Sequence, residues 1–570
     1  LCILIYLPPI QNFLVDKAAV YASEATGMNI SVGRISLSFP LNLVVTNVDA
    51  ASPHNDTLLS VRRLQVNVQL LPLLKKQVEV DGISLQGATV NSNDLIHGMK
   101  LNGTLGELFI SSHGVALDPE TAIVNKVLLK DTDLSLCLND TAAADTAASD
   151  TAYWKIILQD IDLQNVSFAL DMPLDSLSLA ASLDNAILRD GLIDLHKSAY
   201  SLQTFRIENG RVRYDNGKPL AADSLSSGLD PSHIALTDIG VKLDSLYYGG
   251  RNMKAIISQF VLKERSGVEI VSATGRMVSN DKVLRVPSLK LETRDSYLEL
   301  NAAMDWNALD FKGEGLVSAR LMADIGKPDV VRFMGRMDEK FVRQYPSEPL
   351  RIRTGIDGDL NKLKLTTLTA ELPGALGLFA RGELTHLTDS LLRGGDITLE
   401  AETKDLKFVS TLAEGIEIPY GTRLEGKFTM AGAKMGTDLL LMQPEAQAVV
   451  AADTIPITVY NDSISVADDF KMERAARLFA KYDLSRDRYE ADLAVNHFDL
   501  HQFMPADSLY TLSTRLKVEG EGFDFFSPRT YFNAEGGIDR FHYGSYHLTG
   551  ISLAAGLEKS KVHASLAVEN

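Results

Sequence analysis

His497 and His501 stand four residues apart with Asp499 between them, a spacing that on a helix would turn two imidazoles toward one metal ion. No third ligand lies beside them, and histidine is commonplace where a strand meets a helix, so no metal is expected. Asp357-Gly-Asp-Leu-Asn361 begins like a calcium loop. Lys362 and Leu368 then occupy the positions of the turn glycine and the closing glutamate, which reduces it to a polar hairpin turn. Gly520-Glu-Gly522 ends a strand and no helix start follows, so its amides are not arrayed for a phosphate. HExxH, Walker A and nucleophile-elbow patterns are absent. Cys2 and Cys137 read as unpaired small hydrophobes, because a disulfide framework needs more cysteines in a shorter chain. The expectation is a protein that is not an enzyme and has no cofactor.

The elements that would carry such side chains are strands. Leu64, Val66, Val68 and Leu70 alternate with Arg63, Gln65, Asn67 and Gln69. Trp154, Ile156 and Leu158 alternate likewise, as do Leu298, Leu300 and Ala302. Period two puts the apolar side chains on one sheet face and the polar ones on the other. Gly, Asn and Asp punctuate the runs as hairpins require. Length (570 residues) and 45% hydrophobic content exclude wholesale disorder and point to several domains or one repeat array. The net charge of −18 comes without clustered Lys and Arg, so nucleic acid is not expected as a partner.

One unit recurs: apolar-x-apolar-x-[Gly/Asn/Asp]-x-x-apolar-x-apolar. It fits Val127–Leu136, Ile161–Leu170 and Phe205–Tyr214, fits Ile83–Val90 with Ser92 at the last site, and fits Ala186–Leu195 loosely. The central turn-prone residue shifts the alternation by one, as a bulge or bend does between two strand segments. Spacing between copies is irregular, so this is a repeated device and not a fixed-period solenoid. A second repeat follows. Val330-Val-Arg-Phe-Met, Leu406-Lys-Phe-Val and Leu500-His-Gln-Phe-Met read as short helical or bent segments. Each precedes a strand ending in glycine, at Gly358, Gly426 and Gly520.

At the front, residues 1–9 are apolar and end in Pro8-Pro9, which reads as the tail of a truncated membrane anchor. Residues 10–27 carry Ile10, Phe13, Leu14 and Tyr21 at helical spacing, a membrane-proximal amphipathic helix closed by Gly27. Residues 28–138 form a first β-region, and 139–152 are a low-complexity loop or linker. Residues 153–325 and 326–570 read as β-repeat, continuing beyond the last residue.

The helical patterns (10–27, Val330 to Arg343 and Phe470 to Lys481) cannot cover so long an apolar face. Closed sandwiches of about 100 residues would solve this. So would a sheet curled into a continuous trough whose dry inner face suits acyl chains. About 40 strands at about 4.8 Å would extend it over about 190 Å. The fold class expected is therefore mainly β, an elongated antiparallel repeat forming a curled, taco-like groove behind a short N-terminal amphipathic helix. Leu64, Val66, Val68, Leu70, Ile161, Leu163, Ile207 and Val212 are the candidate lining.

Leu7-Pro-Pro-Ile-Gln-Asn-Phe-Leu14, Ala25-Thr-Gly27 and Ile30–Pro40 resemble the N-terminal region of TamB-type translocation and assembly modules, particularly those of Bacteroidetes. The stretch Leu64–Ala88, with its strand, Leu71-Pro-Leu-Leu74 and second strand, resembles AsmA-like proteins generally. The resemblance covers roughly the first 90 residues, and beyond them only the repeat style matches. It implies one inner-membrane anchor and a long periplasmic β-groove in a Gram-negative envelope. It also implies phospholipid carriage between membranes, or support of outer-membrane protein assembly beside a TamA-like barrel. The alternatives are a scaffold that pairs with outer-membrane protein strands without carrying lipid, and an adhesin-like array of closed domains.

Overall fold

The computed structural model describes Ser23 and residues 28–38, 42–52, 57–69, 80–92, 98–116, 120–139, 154–218, 228–312, 315–335, 337–413, 415–443, 459–460, 463–464, 474–524, 526–527, 529–559 and 561–568. The expected anchor (1–9), the amphipathic helix with Ile10, Phe13, Leu14 and Tyr21, the low-complexity loop beyond Asn139, and Leu70 all lie outside the described residues. Among the described residues no helix is long and apolar enough to cross a membrane.

The molecule is mainly β. Thirty strands are described. Twenty-eight of them belong to one hydrogen-bonded sheet, and two two-residue strands pair by themselves. The chain divides into two compact units. Unit 1 is Leu1–Asp281 with Lys290–Arg294, and unit 2 is Lys282–Leu289 with Asp295–Asn570.

Unit 1 contains strands of 18 residues (Met99–Ala116, Thr121–Leu138, Lys155–Met172 and Leu177–Asp194), where strands of globular proteins usually have 3–10. These strands are bent, and the bends are aligned. Every motif copy read from the sequence has its central residue in the left-handed region: Gly87 (φ 61), Asp131 (50), Asn165 (52), Asp190 (51) and Asn209 (53). Two further copies escaped the reading, around Asn47 (φ 53) and Asp238 (φ 52). Asn and Asp adopt this conformation at the least cost after glycine, which is why they recur there.

Cross-strand register places Asn47, Gly87, Asp131, Asn165 and Asn209 in a single file, while Asp190 lies on a second one. Gly33, Asn47, Arg62, Gly87, Gly106, Asp131, Asn165, Asp184 and Asn209 stand opposite one another on successive strands, and pairing continues in register on both sides. Along this first line Asn165 donates its amide N–H to Asp131 at 2.9 Å, and Asn209 donates likewise to Asp184. Six residues away runs a second line through Val68, Asp81, Ser112, Asn125, Gln159, Asp190 and Gln203. Register shifts mark it at Asn67/Val68 and at Ser112, and Asn125 donates to Gln159 at 2.8 Å. A panel about 20 Å wide separates the two lines, at about 3.3 Å per residue.

The pairings of unit 1 are antiparallel with one exception. Thr121–Leu138 and Lys155–Met172 run parallel, from Thr121 opposite Lys155 to Cys137 opposite Asp171. Parallel neighbours need a crossover of a dozen or more residues, and residues 139–154 supply that length. The low-complexity stretch therefore stands where the chain has to return to the other end of the strand pair.

Unit 2 has shorter strands, of 8–13 residues for those in the main sheet. Its second-repeat segments are short helices: Lys327–Met334, Lys407–Thr411 and Leu500–Gln502. The helical pattern from Val330 to Arg343 is broken at Gly335 (φ 75), and Glu339–Gln344 forms a separate turn. There Phe341 (1% exposed), Tyr345 and Phe408 pack edge-on around Leu372, Ala375 and Leu406. The helix expected from Phe470 to Lys481 is instead the strand Arg474–Asp483, paired with Lys434–Gln443. Ala476, Leu478, Ala480 and Tyr482 have period two, and the facing Leu441, Leu439, Thr437 and Met435 select it over local helix propensity. The repeat glycines have a packing reason. Gly358, Gly426 and Gly520 face Leu363, Leu439 and Tyr489 across the ladder, and a Cβ on Gly520 would come within 2.7 Å of the Tyr531 carbonyl.

The bends generate a prediction. Asn165→Ala puts an alanine at φ 52 and should cost about 1–2 kcal/mol of unit 1 stability. Asn165→Gly removes the same side-chain hydrogen bond but accepts the backbone, so it should cost clearly less. Denaturant midpoints of the two variants decide it, and equal losses would refute a role for the left-handed backbone.

Candidate functional site

The panel between the two lines is apolar on one face. From each member of the first line, the positions two and four away carry Leu, Ile, Val, Phe or Ala on strand after strand, and Val241 and Leu243 continue them on the next strand. One row runs Ile35, Val45, Leu64, Leu85, Leu108, Leu129, Leu163, Ala186, Ile207, Val241. Beside it runs Leu37, Leu43, Val66, Ile83, Ile110, Val127, Ile161, Leu188, Phe205, Leu243. Each bend takes up one residue, so positions five apart across the first line, such as Leu129 and Leu134 or Ile207 and Val212, return to the same face. Leu134, Phe168, Ala181, Val212 and Leu236 thereby continue the apolar surface beyond the line.

The other face is polar. Arg63, Gln86, Glu107, Lys130, Gln164, Asn185 and Glu208 stand in one file there, with Asn185 donating to Glu208. The sheet of unit 1 is thus amphipathic across ten strands.

The residues anticipated as a lining are distributed accordingly. Leu64, Leu163 and Ile207 stand in the first row, and Val66 and Ile161 in the second. Val212 belongs to the surface beyond the first line, and Val68, half-buried, sits at the second line. Phe205, Phe168 and the Ile110–Val127 pair were not singled out from sequence. Their signal was present in the same motif, one or two positions from residues that were named.

These rows are covered only in part. Ala186 is buried (4% exposed), Ile83 is 37% exposed, and the remaining members are half-buried. Among the described residues, the buried hydrophobics of unit 1 are Ala50, Leu58, Val61, Ala88, Ala186, Ile239, Val268 and Ala273. Four of the eight are alanines, too small to be the main core of a unit of this length. Covering a half-exposed Leu or Ile stabilises by on the order of 1 kcal/mol. Two such positions on each of ten strands therefore offer on the order of 20 kcal/mol to apolar material laid against them.

The titratable groups do other things. His497 (φ 44) marks a bulge and its Nε2 lies 3.3 Å from the Arg540 guanidinium, whereas His501 Nδ1 meets the Asp507 carbonyl at 3.0 Å. Asp499 accepts from the His501 amide and caps that short helix, so the two imidazoles serve different contacts. No group of three or more potential metal ligands occurs among the described residues. Cys137 is half-buried with a free thiol. Asp359 ends the strand Leu350–Asp359 and accepts from the Asn361 and Lys362 amides at 2.8 Å, a hairpin turn as expected.

His233 (6% exposed) has both ring nitrogens against acceptors, Asp230 Oδ2 at 2.8 Å and the Lys218 carbonyl at 2.7 Å. Its hydrogen bond to Asp230 holds the imidazole pKa above its usual 6.5, and the same bond, with the Ser232 amide, lowers that of Asp230. The pair pins the connection ahead of the strand His233–Gly249. A raised imidazole pKa contributes stability that is complete below about 6.5 and fades as pH rises through the folded value. The lowered carboxyl contributes above about 3.8 and is lost as pH falls through its own folded value. The denaturation midpoint of unit 1 should decline on the alkaline side of pH 6.5, and His233→Gln should flatten that decline. An unchanged slope in the variant would remove His233 as its source.

Neither the models of known protein families nor the curated proteins contain a match to this chain.

Partial cover of the apolar face also makes a measurable difference between the units. Leu163→Ala should cost about 1 kcal/mol, well under the 2–5 kcal/mol of a fully buried leucine, whereas Phe341→Ala should cost about 3–5 kcal/mol. Equal losses in denaturant titrations would mean that the face of unit 1 is closed.

Proposed function

We propose that this chain is a cell-envelope protein of the TamB/AsmA-like kind and that unit 1 is a trough for the acyl chains of phospholipid. The observation that carries the reading is the pair of unbroken apolar rows across ten strands, half-covered and backed by a polar face. In this reading the two aligned lines of bends fold the amphipathic sheet toward its apolar side and make it a channel open along its length. Acyl chains are suited to such a surface, because they match rows that run across the strands and need no specific hydrogen bonds.

In this reading the chain is held by an N-terminal anchor in the inner membrane, with its bulk in the periplasm, and serves envelope biogenesis. It conducts phospholipid between membranes, supports outer-membrane protein assembly beside a TamA-like barrel partner, or does both. The role is one of carriage and not of catalysis. It is supported by the sequence resemblance near the N-terminus and by the apolar rows.

Lipid extracted from the purified chain and identified by mass spectrometry tests this directly. Phospholipid should accompany the wild type, and Val66→Asp with Leu163→Asp should remove most of it while Gln164→Asp, on the polar face, leaves it in place. Protein that is folded but free of lipid would defeat the trough and favour the strand-pairing scaffold.

A further inference from the structure

Among the described strands of unit 2, seven connections turn at one end, and five of them share a local pattern. They read Asp310-Phe-Lys312, Asp359-Leu-Asn-Lys362, Asp389-Ser-Leu-Leu-Arg393, Asp483-Leu-Ser-Arg486 and Asp524-Phe-Phe-Ser-Pro-Arg529. In each, an aspartate is followed by an apolar residue and then by a base. The carboxylates are occupied by their own loops. Asp389 accepts from the Leu391 amide at 2.8 Å, Asp483 from Ser485 at 2.9 Å and Asp524 from Phe526 at 3.0 Å, while Asp310 takes the Lys312 ammonium at 3.3 Å.

The apolar residues point the other way. Phe526 is 93% exposed, Leu391 84% and Phe311 67%, whereas Leu360 of the second tip is buried. Lys312, Arg486 and Arg529 are exposed beside them. Isolated exposed hydrophobics are ordinary, but an exposed apolar residue beside a base recurs at four of the seven tips of one edge, with Phe311, Leu391, Leu484 and Phe526.

We propose that this edge of unit 2 docks on the surface of a bilayer that contains anionic phospholipid. Apolar tips enter the boundary between headgroups and acyl chains, and the adjoining bases meet the phosphates. The pattern runs from the first tip to the last over ten strand spacings, about 50 Å at about 4.8 Å each. A free phosphate or one bound lipid would satisfy a single tip, whereas a bilayer presents the same chemistry along the whole edge. This docking is independent of whether unit 1 carries lipid.

The test is flotation of the full chain with vesicles of phosphatidylcholine alone and with phosphatidylglycerol added. Wild type should bind the anionic vesicles more tightly, and salt should weaken that preference. Lys312→Gln, Arg486→Gln and Arg529→Gln together should reduce partitioning by about fivefold per base, on the order of a hundredfold in all. Leu391→Ser with Phe526→Ser should reduce it as well. Lys340→Gln, Arg343→Gln and Lys407→Gln, at the opposite end, serve as the charge-matched control and should have no effect. Circular dichroism and denaturation midpoints establish that each variant is folded. Equal binding to both vesicle types, no binding, or tip variants that bind like the control would overturn the proposal.

Discussion

The arrangement of unit 1 depends on one backbone conformation that recurs in register at Asn47, Gly87, Asp131, Asn165 and Asn209, chiefly on alternate strands. A residue in the left-handed region bends a strand and takes up one step of its alternation. Were the bends scattered, each would interrupt pairing with its neighbours and the sheet would fray. Held in register from Asn47 to Asn209, with Arg62, Gly106 and Asp184 facing them on the strands between, they become a continuous line, and the ladder survives on either side of it. The cost of the strained backbone is kept low by choosing Asn, Asp and Gly, and is offset by amide-to-carboxylate bonds between neighbouring members of the line.

The same constraint explains the chemistry of the two faces. Because the phase shifts at the bend, apolar residues two and four positions before it and three and five after it share a side. A sequence that simply alternated through 18 residues would present its apolar groups on opposite faces across the bend. The repeat motif is therefore a prescription for a bent strand with one continuous apolar surface. Unit 2 reaches its stability differently, with shorter strands, glycines set opposite leucines, and an aromatic cluster around Phe341 at the strand ends.

Much of this was legible before any coordinates. Period-two alternation gave the class of structure, and the motif marked the bends, since every copy recognised has its central residue at positive φ. What sequence could not supply was register. Whether Asp131 faces Asn165 or lies far from it depends on pairing between segments, and nothing local encodes that. The segment Arg474–Asp483 looked helical because alanine and arginine favour helices, and only its pairing partner reverses the preference.

The uneven spacing of the motif has a cause in the one parallel pair. Ile83 to Val127 and Ile161 to Phe205 are 44 residues apart, because the motif falls on every second strand, whereas Val127 to Ile161 is 34, because there it falls on adjacent strands with the same polarity. Extent is then a quantity the sequence can set in discrete steps. Each inserted hairpin lengthens the apolar rows by two strands, about 10 Å, and leaves both the lines of bends and the end at which hairpins turn unchanged. The crossover between Leu138 and Lys155 is the exception: it adds a single strand, about 5 Å, and exchanges the two ends. A gene for such a chain behaves as a ruler graduated in hairpins, with one half-division cut into it.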